Sequence, residues 1–264
     1  MQKKLLMLLV AIGLVANGAS AADLPHKAPV APTAAPFSWT GFYIGANGGY
    51  GWQDGDGGIN YFFDRVPGVI SNTEPSFDAK GGFGGGQIGY NYQIGRSVLG
   101  IEADFQGSGI QGSFNRNPAP GAFCCSNPND IFSGDSKLNW FGTVRGRFGV
   151  AFNNLLLYAT GGFAYGHVEE SLTAVNPQFS PPLLFFSAGG SKTLTGGVMG
   201  VGVEYGILPA WSVKAEYQYM DLGSTTPTGT TVLNGSDHAD VFGHKYHTVR
   251  IGINYHFGPS GLIR

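Results

Sequence analysis

Charge is scarce in this chain. Asp, Glu, Lys and Arg together make 12% of its 264 residues, about half the usual share of roughly 25%. A soluble domain with so little charge would struggle to stay dissolved. The charges that exist almost cancel, at a formal net of −2. With no basic run and no Lys/Arg stripe, nothing points to a nucleic-acid partner. Disorder is excluded from the other side, because 42% of the residues are hydrophobic. Long apolar runs are missing as well. The uncharged stretch Leu5 to Ala16 falls short of the ~20 residues a spanning helix needs. Cysteine is limited to the adjacent pair Cys124 and Cys125. In an oxidising compartment that pair reads as a strained vicinal disulfide, a link to another chain, or free surface thiols. It lacks the two-residue spacing of a zinc site. No cofactor is implied: the Gly81 to Gly86 run lies on a strand pattern without the following helix that a phosphate loop requires, and no G-x-S-x-G elbow occurs.

What is present begins at the N-terminus. Lys3 and Lys4 precede the apolar run, and Ala19-Ser20-Ala21-Ala22 follows it. This is the charge, apolar stretch and A-x-A end of a secretory signal. Residues 1–21 are expected to be removed, with the bond after Ala22 as the alternative. Residues 22–38 carry Pro25, Pro29, Pro32 and Pro36 and read as an extended linker. Glycine is abundant, at 44 residues, and aromatics reach 13%. Few charges, many aromatics and much glycine suit a chain that hides a large outer surface in lipid. Without a spanning helix, only a closed barrel satisfies the backbone there.

Residues 39–257 divide into eight alternating segments of barrel-strand length: Thr40–Trp52, Gly82–Tyr92, Ser97–Gly107, Lys137–Phe152, Leu155–Val168, Thr193–Tyr205, Trp211–Met220 and Tyr246–Phe257. The third shows the pattern well, with Leu99, Ile101, Ala103 and Phe105 alternating with Glu102, Asp104 and Gln106. In the fourth, Leu138, Trp140, Val144, Phe148 and Val150 take the apolar parity. Short and long connections alternate around all eight. Short periplasmic turns and long outer loops are the habit of bacterial outer-membrane barrels, so both termini are expected in the periplasm. The expected fold is therefore all-β: an eight-stranded antiparallel up-and-down transmembrane barrel with four long extracellular loops. Residues 258–264 form a short tail.

The apolar parity places Phe42, Trp52, Tyr90, Tyr92, Trp140, Trp211, Tyr217, Tyr219, Tyr255 and Phe257 near strand ends, where interfacial girdles belong. The polar parity points Glu102, Asp104, Glu204 and Glu216 inward with Arg145, Arg147, Lys214 and Arg250. Four acids against four bases predict a balanced ion-pair network in the lumen, since lone buried charges cost too much. Glu102 and Asp104 are expected to face Arg145 and Arg147. The inward glycines Gly45, Gly49, Gly89 and Gly252 either make room for bulky partners or ease strand curvature. The lumen then reads as a plugged core or as a narrow charged pore. Asp237, His238, Asp240, His244 and His247 cluster near the last long loop, as a metal or haem contact or as a solvated polar loop. His167 near Glu169, Glu170 and Ser171 is a weak hydrolase-like grouping, of a kind expected at any polar strand end.

The segment Trp39-Thr40-Gly41-Phe42-Tyr43-Ile44-Gly45-Ala46-Asn47-Gly48-Gly49-Tyr50-Gly51-Trp52 resembles the opening strand of the alphaproteobacterial outer-membrane immunogenic proteins, small porin-like surface antigens. Ala22-Asp23-Leu24-Pro25 and the closing run His247 to Phe257 resemble them too. The resemblance implies an eight-stranded barrel of the bacterial outer membrane, exposed to host or environment, and no enzyme. Some relatives are described as binding haem, which adds to that reading of the last loop. The implied partners are outer-membrane lipid and lipopolysaccharide, the barrel-assembly machinery, and host or environmental surface ligands. Barrels of this kind often end on the aromatic that the machinery recognises, whereas here Gly258 to Arg264 follow Phe257.

Overall fold

The computed structural model describes residues 37–54, 58–63, 74–75, 77–116, 131–231 and 236–257. The signal segment, most of the linker, Cys124, Cys125 and the C-terminal tail lie outside the described residues. Among the described residues there are twelve strands: β1 (Gly41–Gln53), β2 (Gly58–Phe63), β3 (Glu74–Pro75), β4 (Lys80–Ile94), β5 (Ser97–Arg116), β6 (Ile131–Phe152), β7 (Leu155–Asn176), β8 (Leu183–Leu208), β9 (Trp211–Asp221), β10 (Thr228–Thr231), β11 (Ser236–Phe242) and β12 (Lys245–His256). Among the described residues, no helix is long and apolar enough to cross a membrane.

Eight strands close a ring in the order β1-β4-β5-β6-β7-β8-β9-β12, all antiparallel, with β12 returning to β1. The register fixes the geometry of the ring. Partners lead from Ile44 through Ile88, Ala103, Val144, Phe163, Gly197 and Asp221 to Lys245. The Lys245 carbonyl then accepts from the amide of Asp54 at 2.8 Å, so one circuit returns to β1 ten residues further along. Eight strands with a stagger of ten tilt by about 40° and enclose a bore of about 8 Å radius, just wide enough for side chains.

The two parities separate cleanly. Ile44, Ile88, Ile101, Phe148, Met199, Val201 and Ile251 face out and are exposed. Phe42 and Trp52 lie at the two ends of β1. At ~3.3 Å per residue and this tilt, they stand about 25 Å apart along the axis, the height of an outer-membrane apolar band. Phe42, Tyr92, Trp211, Tyr255 and Phe257 crowd the lower edge. Phe42 packs on Tyr90, Trp211 on Tyr255 and Tyr255 on Phe257, with ring centroids 4.8, 5.1 and 5.0 Å apart. At the upper edge His247 stacks on Trp52 at 5.6 Å and lies against Tyr217 and Tyr219, while Trp140 stacks on His167 at 5.6 Å.

The long connections are less loop-like than the sequence pattern suggests. β5, β6, β7 and β8 run well past the upper girdle without interruption. On the other side of the ring the wall breaks and resumes: β10 pairs with β8, β11 with β10, β2 with β11 and β3 with β2. Three of the interruptions carry left-handed residues, Gly223 (φ 82°), Gly243 (φ 84°) and Asp78 (φ 47°), a conformation that strands cannot continue through. Two boundaries also need correction. A register shift between Leu138 and Trp140 turns Leu138 inward, where it is buried; alternation had put it outside with Trp140. Phe37, read as the end of the linker, is packed into the base of the barrel against Trp39 at 4.6 Å.

Candidate functional site

The interior is the part of the molecule where chemistry-bearing side chains converge, and it is built in three tiers. The lowest is apolar: Phe37, Trp39, Val98, Ala151, Leu156 and Tyr158 form one buried cluster. Trp39 is anchored there by its amide, which donates to Gln93 Oε1 at 3.1 Å. His256 meets the rings of Phe37 and Trp39 edge-on at 5.2 and 5.9 Å.

The middle tier brings together all eight predicted lumen charges, each buried. Arg145 stands directly opposite Glu102 across the β5–β6 ladder. Its Nη2 donates to Glu102 Oε1 at 2.5 Å and Asp104 Oδ2 at 3.0 Å, and its Nη1 donates to Glu216 Oε1 at 2.7 Å. Arg250 bridges two of these three acids, donating to Asp104 Oδ2 at 3.1 Å and Glu216 Oε1 at 2.6 Å. Lys214 donates to both Glu102 oxygens at 2.9 Å. Arg147 goes elsewhere. Its close bond is to Glu204, and the expected pairing with Glu102 is kept only as a longer ion pair, Arg147 Nη1 to Glu102 Oε2 at 3.9 Å. Its guanidinium also lies 3.7 Å from the Tyr158 ring centre, a cation–π contact. Arg145 Cα is two residues nearer the outer side, so the acids of β5 are already taken when Arg147 reaches inward.

Alternation alone did not single out several polar partners. Tyr43 donates to Glu102 Oε2 at 2.7 Å and Tyr158 to Glu216 Oε2 at 2.8 Å. Thr143 donates to Asp104 at 2.7 Å, and Ser212 and Asn254 both donate to Glu204 Oε1. The signal was present in parity, since Tyr43 and Tyr158 fall opposite the lipid-facing set, but aromatics near strand ends read more readily as girdle. The glycines fit the room-making reading. A Cβ on Gly89 would enter the Tyr43 ring, and one on Gly45 would meet Asn254 and Gln87.

The upper tier is apolar again. Phe83, Ile110, Leu138, Phe141, Val168, Leu194, Val198, Met220, Leu222 and Tyr246 with two alanines form one buried cluster above the ion pairs. Phe83 meets Phe141 edge-on at 5.2 Å.

The other predicted groupings are dispersed. His244 is buried inside while His247 faces out among Trp52, Tyr217 and Tyr219. The side chains of Asp237, His238 and Asp240 lie outside the described residues. Among the described residues no three His, Cys, Asp or Glu side chains gather as a metal site would need. His167 faces out against Trp140, with Nδ1 3.2 Å from Thr193 Oγ1; its neighbours Glu169 and Glu170 point to opposite sides of the wall.

A closed ring of eight tilted strands with an apolar outer band, two aromatic girdles and a charged interior defines an outer-membrane β-barrel. The profile of the outer membrane protein beta-barrel domain matches residues 9–257. The chain is 38% identical to the 31 kDa outer-membrane immunogenic protein of Brucella melitensis, over 92% of this chain and 95% of that one. It is 32% identical to the 22 kDa outer membrane protein of Rhizobium leguminosarum, over 75% and 70%. The protein belongs to this family of alphaproteobacterial outer-membrane immunogenic proteins and is located in the bacterial outer membrane. Among solved structures, OprG of Pseudomonas aeruginosa shares the fold, with a TM-score of 0.51 and 14% identity over 83% of this chain and 98% of that one.

Proposed function

We propose that this protein is a closed, non-conducting barrel that stiffens the outer membrane and holds its outer strands and loops at the cell surface as interaction sites. The observation that carries this reading is the stacking of an apolar tier on each side of the ion-pair tier. An ion crossing the lumen would have to shed its water against Phe83, Phe141 and Leu138, and buried unpaired charge is costly. Wide aqueous channels also need about twice as many strands. The ion pairs serve as internal struts here. Loops on a rigid scaffold are where recognition concentrates, and the immunogenic relatives fit an exposed surface.

On this reading the membrane partners are outer-leaflet lipid and lipopolysaccharide, met by the girdles and by the outward Lys80 and Lys245 at their upper edge. The chain reaches the membrane after cleavage behind Ala21 and insertion by the barrel-assembly machinery. No catalytic role is assigned to any residue. The test is ion conductance of the refolded full barrel in a planar bilayer, with folding verified by heat-modifiable gel migration. A folded, silent protein is expected. Reproducible channel steps would replace this reading with that of a small porin for ions or small solutes.

A further inference from the structure

Above the upper girdle, outside the membrane-spanning part, lies a second polar cluster with a different character. Glu170 belongs to β7, on the uninterrupted side of the wall. Thr225 lies between β9 and β10, and His244 between β11 and β12, both on the interrupted side. All three are buried. Thr225 Oγ1 donates to Glu170 Oε2 and lies 3.2 Å from His244 Nε2. His244 Nε2 is 3.3 Å from Glu170 Oε1. The backbone ties the two interrupted connections to each other. Thr225 and Val241 exchange hydrogen bonds at 3.0 and 2.9 Å, the Leu222 amide donates to the His244 carbonyl at 2.9 Å, and the His244 amide to the Gly223 carbonyl at 3.1 Å. The left-handed Gly223 and Gly243 flank this junction. The three side chains therefore join two halves of the wall at the level where one half is broken.

We propose that Glu170, Thr225 and His244 form a clasp across the barrel mouth that keeps the interrupted half docked on the continuous half from mildly acidic to mildly alkaline pH. The surroundings support this. Glu170 and His244 have buried atoms without a hydrogen-bond partner, Oε1 and Nδ1, so neither group is solvated well enough to carry its charge easily. Burial pushes the Glu170 carboxyl up to about 7, against a smaller opposing pull from the Thr225 hydroxyl. Burial brings the His244 imidazole down to about 4, with Asp221 pulling the other way. The remaining neighbours are Tyr246 of β12, which faces Glu170, and the exposed Asp135, Lys137, Glu169 and Lys192, which line the clefts beside it and are screened by water.

The two groups oppose each other in linkage. A carboxyl raised from 4.5 to about 7 stabilises docking fully below pH 4.5, and that contribution is lost as pH rises through 7. An imidazole lowered from 6.5 to about 4 stabilises docking fully above pH 6.5, and that contribution is lost as pH falls through 4. Between about 4.5 and 6.5 the slopes cancel, and docking takes up no net proton.

The test is hydrogen exchange at the Thr225 and Val241 amides of the refolded full barrel in micelles, at pH 5.5 and 8.5, corrected for intrinsic rate and with EDTA present. The Val249 amide of β12 reports whether each variant is folded. In the unaltered protein, protection is expected to fall by only about threefold from pH 5.5 to 8.5. His244→Gln leaves the Glu170 slope alone, and protection should fall about thirtyfold. Glu170→Gln leaves the His244 slope alone, and protection should rise about tenfold. His244→Asn stands in if the first variant does not fold. A tenfold or greater change in the unaltered protein overturns the proposal, as does the absence of opposite slopes in the two variants.

Discussion

Lys214 and Glu102 stand on strands half a turn apart around the ring, and the Lys214 ammonium donates to both carboxylate oxygens at 2.9 Å. The pair is a strut across the full bore. Lys214→Met removes one end and leaves Glu102 with Arg145, the Tyr43 hydroxyl and the more distant Arg147 and Arg250. Breaking a buried pair from one side typically costs about 3–5 kcal/mol. The urea midpoint of the refolded barrel should fall accordingly. Lys214→Met with Glu102→Gln should cost clearly less than the two single losses added, because the double variant strands no charge. Simple additivity would show that the two groups do not act on each other.

The upper apolar tier makes a different forecast. Phe141→Ala leaves a hole against Phe83 and should cost about 3–5 kcal/mol, again read by urea unfolding. The same variant should remain silent in a planar bilayer, because the ion-pair and lower apolar tiers still close the bore. Channel steps in this variant would mean that the upper tier alone had been the barrier.

Glycine substitutions should divide by parity. Gly89 faces the Tyr43 ring from inside the bore, whereas Gly84 faces lipid with only ordinary contact at 3.6 Å to the Asn47 carbonyl. Gly89→Ala should destabilise by about 1–3 kcal/mol, as overpacking does, and Tyr43→Ala in the same chain should remove most of that penalty. Gly84→Ala should move stability by less than about 0.5 kcal/mol. Equal effects at the two sites would contradict the assigned faces.

Ile251 faces outward and is 69% exposed, near mid-height between the girdles. Ile251→Arg should cost about 2–4 kcal/mol in a bilayer, the range for a cation on the lipid face at the midplane. The measurement is the shift in unfolding midpoint in lipid vesicles. Lys80, Lys137 and Lys245, all native cations, lie at or above the upper girdle. A tolerated Ile251→Arg would therefore contradict the placement of the band.

Much of this was legible because a barrel wall in lipid obeys one strict rule, outward apolar and inward polar, with period two. Glu102 and Arg145 could be placed inside from alternation alone, and the short connections Gln93 to Arg96 and Asn153-Asn154 from their lengths; β4 runs on to Ile94, which narrows the first to Gly95-Arg96. What escaped reading shares a physical cause. Inward positions in the tiers above and below the charges are apolar too, so Phe83, Phe141 and Met220 gave no contrast with the lipid face. Leu138 follows the outward parity in the sequence but faces inward in the fold, because a bulge shifts parity by one without any mark in composition. Phe37 reads as linker because the prolines before it signal extension, and nothing local says that its ring packs into the barrel base. The partner of Arg147 depended on which acids its neighbours had already claimed, which is a property of the folded bore and not of any one strand. The extended strands beyond the membrane read as loops, because once both faces meet water the alternation fades.

The closing ladder between β1 and β12 joins residues about two hundred positions apart, from Tyr43 with His256 to Gln53 with Tyr246. A growing or truncated chain that lacks β12 therefore has no smaller barrel to fall back on. It is an open sheet with two bare edges, β1 and β9, each ready to pair with whatever strand it meets. Folding of this protein is thus all-or-nothing at its seam, and the hazard to the cell lies in the interval before β12 docks.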